Sequence, residues 1–125
     1  MVRLYAKVVG VTVILIGVGG LLLGDRSLFG VLNIDLAEDL IHLLTGGLLA
    51  YAGFVARDMK VVRAIVGGIG VAYLAVGIVA FATPMLFGLV PSGYEVVLDN
   101  LIHLTLGVLG IYVGLFLARG ETANA

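Results

Sequence analysis

The chain has 125 residues, of which 62% are hydrophobic and 12% charged, with mean hydropathy +1.23 and a formal net charge of −1. Soluble domains run at about half apolar and a quarter charged, so this composition excludes a water-soluble globule. No cysteine is present, which removes disulfides, thiolate ligands and thiol nucleophiles together.

The uncharged stretches define the elements. Seventeen uncharged residues separate Lys7 from Asp25, and another 17 separate Asp39 from Arg57; Ala64–Tyr94 adds 31 and Asn100–Ala118 adds 19. A helix needs ~20 mostly apolar residues, with ~17 as a lower limit, to cross the hydrocarbon of a bilayer. Four transmembrane helices are therefore predicted over 6–24, 37–56, 62–83 and 97–118, in a single integral membrane domain. The first run follows Arg3 and Lys7 as a signal peptide would, but Leu21-Leu22-Leu23-Gly24 offers no small-x-small cleavage pattern. Pro84 is expected to end the third helix and Pro91 to stiffen the loop after it. The tail from 120 to 125 is expected to be disordered.

Charge divides sharply between the two ends of these helices. Arg3, Lys7, Arg57, Lys60, Arg63 and Arg119 stand against Asp58 and Glu121 on one side, a net of +4. Asp25, Asp35, Glu38, Asp39, Glu95 and Asp99 stand against Arg26 on the other, a net of −5. The positive-inside rule puts both termini in the cytoplasm and both histidines toward the outer face. Tyr5, Phe54, Phe116, Phe29, Phe87 and Tyr94 fall near the predicted interfaces, where aromatic belts form. Tyr51, Tyr73 and Tyr112 lie deeper, positioned to donate hydrogen bonds between helices.

One phrase is written twice, 61 residues apart: Asp39-Leu-Ile-His42-Leu-Leu-Thr-Gly46 and Asn100-Leu-Ile-His103-Leu-Thr-Leu-Gly107. Arg3, Gly10 and Gly17 recur 60 residues on as Arg63, Gly70 and Gly77, and Leu28-Phe29-Gly30-Val31-Leu32 recurs 58 on as Leu86-Phe87-Gly88-Leu89-Val90. Such self-similarity marks a duplicated two-helix unit, one copy over about 3–57 and the other over about 63–119. Each copy crosses twice and starts inside. The copies then share one orientation, related by a pseudo-two-fold axis along the membrane normal. That arrangement lets His42 and His103, the only histidines in the chain, face each other at similar depth. Glycines at helical spacing, including Gly10, Gly17 and Gly24, suit close helix packing in lipid; the other use for such faces is room for a flat cofactor.

Glu38 and Asp39 precede His42 by four and three positions, as Asp99 and Asn100 precede His103, which puts them on one helix face. Acids in a first helical turn also complement the helix dipole, so the cluster has a complete structural explanation. His42 is ~5 Å of helix rise from Asp39 and sits shallow. Three functional readings stand beside that one. A divalent metal could be held by His42, His103 and some of Glu38, Asp39 and Asp99. The same two histidines could ligate a haem b across the axis. The ionisable groups could serve ion or proton transport, although only Thr12, Thr45, Thr83 and Thr105 continue the path inward. No catalytic constellation is present, so an enzyme is not expected. The leading expectation is a structural or accessory multi-pass protein with no cofactor. Its partners would be the lipid bilayer and either further copies or a larger membrane complex, not nucleic acid.

The repeated Asn/Asp-Leu-Ile-His-Leu-x-x-Gly phrase resembles that of a family of small prokaryotic membrane proteins, a domain of unknown function with four helices and a twice-occurring N-x-x-H-L-x-x-G motif. The likeness covers about residues 3–118. Asn100, His103, Leu104 and Gly107 match fully, whereas Asp39 stands where asparagine is expected before His42, Leu43 and Gly46. The resemblance implies the topology and a prokaryotic plasma membrane, and supplies no activity. The extra acid favours a cation over haem.

Overall fold

The computed structural model describes residues 1–24, 26–28, 32–83 and 96–117. Helix α1 spans Val2–Leu23, α2 Leu36–Phe54, α3 Met59–Ala82 and α4 Val96–Ile111, and α4 runs on into a π-helical stretch over Tyr112–Leu117. The fold is helical, and three stretches are long and apolar enough to cross a membrane: Val2–Leu23, Met59–Ala82 and Val97–Leu117. Helix α2 is not among them, because Glu38, Asp39 and His42 fall in its first turns. Pro84, Pro91, the aromatics Phe29, Phe87 and Tyr94, the Leu86–Val90 phrase and the C-terminal tail lie outside the described residues.

Local chemistry sets the helix ends. Gly24 closes α1 at φ 73°, a left-handed conformation that glycine adopts without strain. Asp35 caps α2, its Oδ1 accepting from the Ala37 and Glu38 nitrogens at 2.8 and 3.0 Å, and Asp58 caps α3 by accepting from Lys60 N at 2.8 Å. The far end of α2 is closed from another helix. The Arg3 guanidinium donates to the Ala52 carbonyl in the last turn of α2 at 3.4 Å, and just past that end to the carbonyls of Ala56 and, at 2.9 Å, Arg57. A cation there satisfies orphan carbonyls and opposes the negative end of the dipole. Between α1 and α2, strands β1 (Arg26–Leu28) and β2 (Leu32–Ile34) pair antiparallel, Ser27 opposite Asn33.

Helix α1 packs chiefly on α2, and α3 on α4 with its π-helical extension. Glycine makes both contacts. A methyl at Gly10 would lie 2.6 Å from Ala50 N, and one at Gly46 2.8 Å from Ile14 N. A methyl at Gly70 would lie 2.5 Å from Ile111 N, and one at Gly107 2.5 Å from Leu74 N. These backbones touch with nothing between them, the packing that drives association where lipid already solvates apolar side chains. The glycine faces thus zip each hairpin internally.

The hairpins meet less extensively, mainly through α2 and α3. At one end Val2, Ala6, Leu49, Ala52, Ala56, Val62 and Val66 form a shared apolar cluster. At the other, Asp35, Asp39, His42, Asp99, Asn100 and His103 are buried beside Ile34 and Ala80. The outward faces are mostly apolar, with Leu4, Leu15, Leu44, Phe54, Val97 and Phe116 all exposed. A surface of that kind matches a bilayer and not water.

Candidate functional site

The polar end is assembled from the first turns of α2 and α4. The i, i+3, i+4 spacing that gives a helix one buried face places Asp39, His42 and Gly46 inward on α2, and Asp99, Asn100, His103 and Gly107 inward on α4. Burial is nearly complete, from 2% exposure at Asp39 to 9% at His103. Polar groups withdrawn from solvent to this degree require partners.

Helix α1 supplies the floor. A Cβ at Gly20 would coincide with the Asp39 carboxylate, and one at Gly17 would lie 2.9 Å from the Asp39 carbonyl and 3.1 Å from His42 Cβ. Gly20 was not singled out by the sequence, because its role depends on which helix lies opposite. Across the site the His42 and His103 rings lie 8° from parallel with centroids 6.3 Å apart. Each comes from a different hairpin.

The two imidazoles differ in their bonding. His103 Nδ1 lies 2.9 Å from the Asp99 carbonyl and 3.4 Å from Asp99 Oδ2. A carbonyl only accepts, so Nδ1 carries a proton. His42 Nδ1 is buried and has no hydrogen bond. Glu38, half-buried on α2, lies within electrostatic reach of Asp35 and Asp39 on its own hairpin and of Asp99 on the other.

Tyr73 of α3 closes the site from below. Its ring meets His103 edge-on at 5.4 Å, and its hydroxyl lies 2.7 Å from Thr45 Oγ1. Thr45 donates to the Ile41 carbonyl at 2.8 Å, so Tyr73 is the donor in that pair. This is the inter-helix role expected of the deeper tyrosines. Tyr51 and Tyr112, expected to share it, point outward instead, at 46% and 52% exposure. Tyr5, assigned to the interface by sequence, donates to the Leu106 carbonyl at 3.3 Å and ties α1 to α4.

Chemically, the five sequence candidates share one end of the bundle, and the histidines form a pair. Among the described residues no group of three or more His, Asp or Glu converges to hold a metal ion. A flat cofactor against the glycine faces does not fit, because partner-helix atoms occupy the space over Gly17, Gly46, Gly77 and Gly107. The threonines do not extend a polar path inward either. Thr12, Thr45, Thr83 and Thr105 each donate to the carbonyl four residues back in their own helix.

No protein-family model matches the chain, and neither a curated protein nor a solved structure is detectably similar to it.

Proposed function

We propose that this chain is a small multi-pass integral membrane protein of structural or accessory type, without enzymatic activity, in a prokaryotic plasma membrane. All four helices cross. Helix α2 joins the other three as a span because Asp39 and His42 are buried against neighbours, which leaves Leu40, Ile41, Leu44, Leu48 and Phe54 to face lipid. Its 19 residues reach ~28 Å at ~1.5 Å each, close to the ~30 Å hydrocarbon thickness. The two hairpins are inserted the same way up about a pseudo-two-fold axis, with both termini in the cytoplasm, as the duplicated phrase and the charge division imply. The same phrase is what supports the likeness to the four-helix family of unknown function.

The observation carrying this reading is where the polar groups go. The described ones at the seam engage neighbouring helices, through His42–His103, Tyr73–Thr45 and Tyr5–Leu106, while the outward surface is left to lipid, further copies or a larger complex. Because the chain is free of cysteine, single cysteines test the topology cleanly. Ser27→Cys and Ser92→Cys should label from outside intact cells, and Lys60→Cys and Ala123→Cys only after permeabilisation. Labelling of Ser27→Cys and Ser92→Cys from opposite sides would sink the like-oriented arrangement. A solute flux in proteoliposomes, abolished by Asp39→Asn or Asp99→Asn, would replace the accessory role with transport.

A further inference from the structure

From the unequal seams between the hairpins, we infer that an anionic phospholipid lays one acyl chain in the apolar groove between α1 and α4, with its head group at the basic end. The inference rests on the membrane orientation proposed above and adds a bound lipid to it.

The seams differ because their residues do. Where α2 and α3 close together, Ala52 and Ala56 are buried in one cluster with Val62 and Val66. The positions 61 on from those alanines are Val113 and Leu117, both only half-buried. With Leu4 and Tyr5 of α1 they line a cavity of about 290 Å³. Toward the histidines, the Tyr73 ring fills the α2–α3 seam and its hydroxyl bonds Thr45. The residue 60 before Tyr73 is Val13, and the residue 61 on from Thr45 is Leu106. No phenol stands there. A second cavity of about 240 Å³ opens instead, lined by Val13, Ile16, Ile102 and Leu106. Val8 and Val9 line both cavities, so the two form one groove.

Width, chemistry and charge then select the occupant. Tyr5 of α1 reaches the Leu106 carbonyl of α4 at 3.3 Å, so the gap is about one side chain wide. A helix from a second copy, ~10 Å across, does not enter it. An extended hydrocarbon chain does. From Leu4 to Ile16 the groove follows ~18 Å of helix rise, more than the ~15 Å of hydrocarbon in one leaflet. Among the described residues, the hydroxyls that line it are committed, Thr12 to the Val8 carbonyl and Tyr5 to that of Leu106. The wall therefore offers apolar contact and no hydrogen bond. The Leu4 end lies at the end of the bundle that carries Arg3, Lys60 and Arg63, where Asp58 is the one acid among the described residues. Basic side chains at a membrane surface favour anionic head groups.

The test reconstitutes the full chain in an equimolar mixture of phosphatidylglycerol and phosphatidylcholine, then returns it to mild detergent for native mass spectrometry. One phosphatidylglycerol should stay bound, favoured about tenfold or more over phosphatidylcholine, as two nearby basic residues would give. Phosphatidylglycerol with a photoactivatable acyl chain should crosslink the wild-type protein mainly at Val8, Thr12 and Ile102. Val13→Phe, which restores a ring to the open seam, should lose the bound lipid while remaining folded by circular dichroism. Should that variant not fold, the wild-type crosslinks decide. The proposal is overturned if phosphatidylcholine is retained equally, if folded Val13→Phe keeps its lipid, or if crosslinks spread evenly to Leu44 and Phe81 on the outward faces. Disulfides between copies of Val8→Cys would also overturn it, by assigning the groove to a dimer. Cysteine labelling from the expected sides with no lipid retained would remove the lipid and leave the topology standing.

Discussion

The two hairpins carry nearly the same phrase and treat it differently. In the second, His103 is held from within, by the Asp99 carbonyl one turn back, and Tyr73 braces its ring. In the first, His42 has no hydrogen bond at Nδ1, and Asp39 presses its carboxylate against Gly20. The position 60 residues on from Gly20 is Ala80, and the residue 61 on from Asp39 is Asn100. A glycine accompanies the acid in one copy and an alanine accompanies the amide in the other. The two hairpins share this phrase, and small differences make one a fixed wall and the other an open contact. Only the combination gives a paired centre.

The contrast breaks most completely where both copies depend on the same device. Gly10→Leu and Gly70→Leu drive side chains into Ala50 N and Ile111 N, which lie 2.6 and 2.5 Å from where even a methyl would sit. Overpacking costs ~1–3 kcal/mol for added methylenes, and backbone separation here puts each variant at ~3 kcal/mol or above. Both should lower the unfolding midpoint in SDS titration by similar amounts. A large effect in one hairpin and none in the other would show that the copies are not packed alike.

Next in size is the acid–glycine contact. Gly20→Ala must displace the Asp39 carboxylate, at ~1–3 kcal/mol, whereas Ala80→Gly in the other copy removes only a methyl and should cost ~1 kcal/mol. Adding Asp39→Ala to Gly20→Ala should recover much of the loss, a coupling readable as a double-mutant cycle. Additive losses would mean that the carboxylate already has room elsewhere.

What the sequence disclosed follows from the range of each signal. Helices α1, α3 and α4 were legible because long uncharged runs leave no alternative in a membrane. The placement of His42 and His103 at one end followed from their shared phrase. Contacts between helices were not legible, since the partner of Gly20 or Arg3 depends on packing that no local pattern encodes. Arg3 shows the consequence: α1 begins at Val2, four residues before its expected start, because that arginine serves the end of α2. Strands of three residues such as Arg26–Leu28 are too short for alternation to register. The π-helical turn at Tyr112–Leu117 has no sequence signature, yet it falls where Gly114 meets Gly67 N at a projected 2.5 Å.

The smallest expected effect concerns the seam below the histidines. Tyr73→Phe removes the hydroxyl that donates to Thr45 at 2.7 Å and keeps the ring against His103. Hydrogen bonds between membrane helices average ~0.6 kcal/mol, and a loss of that size is expected here. Thr45→Val should cost about as much, since it leaves the Tyr73 hydroxyl as a donor without an acceptor while the Ile41 carbonyl stays bonded within its helix. The double variant should be no worse than the single ones, because each already removes the same bond. The location of that bond makes the comparison informative: it joins α2 of one hairpin to α3 of the other, close beneath the paired rings. If Tyr73→Phe leaves stability unchanged but loosens His103, seen as a broadened imidazole resonance, then the tyrosine orients the second histidine and contributes little to holding the halves together.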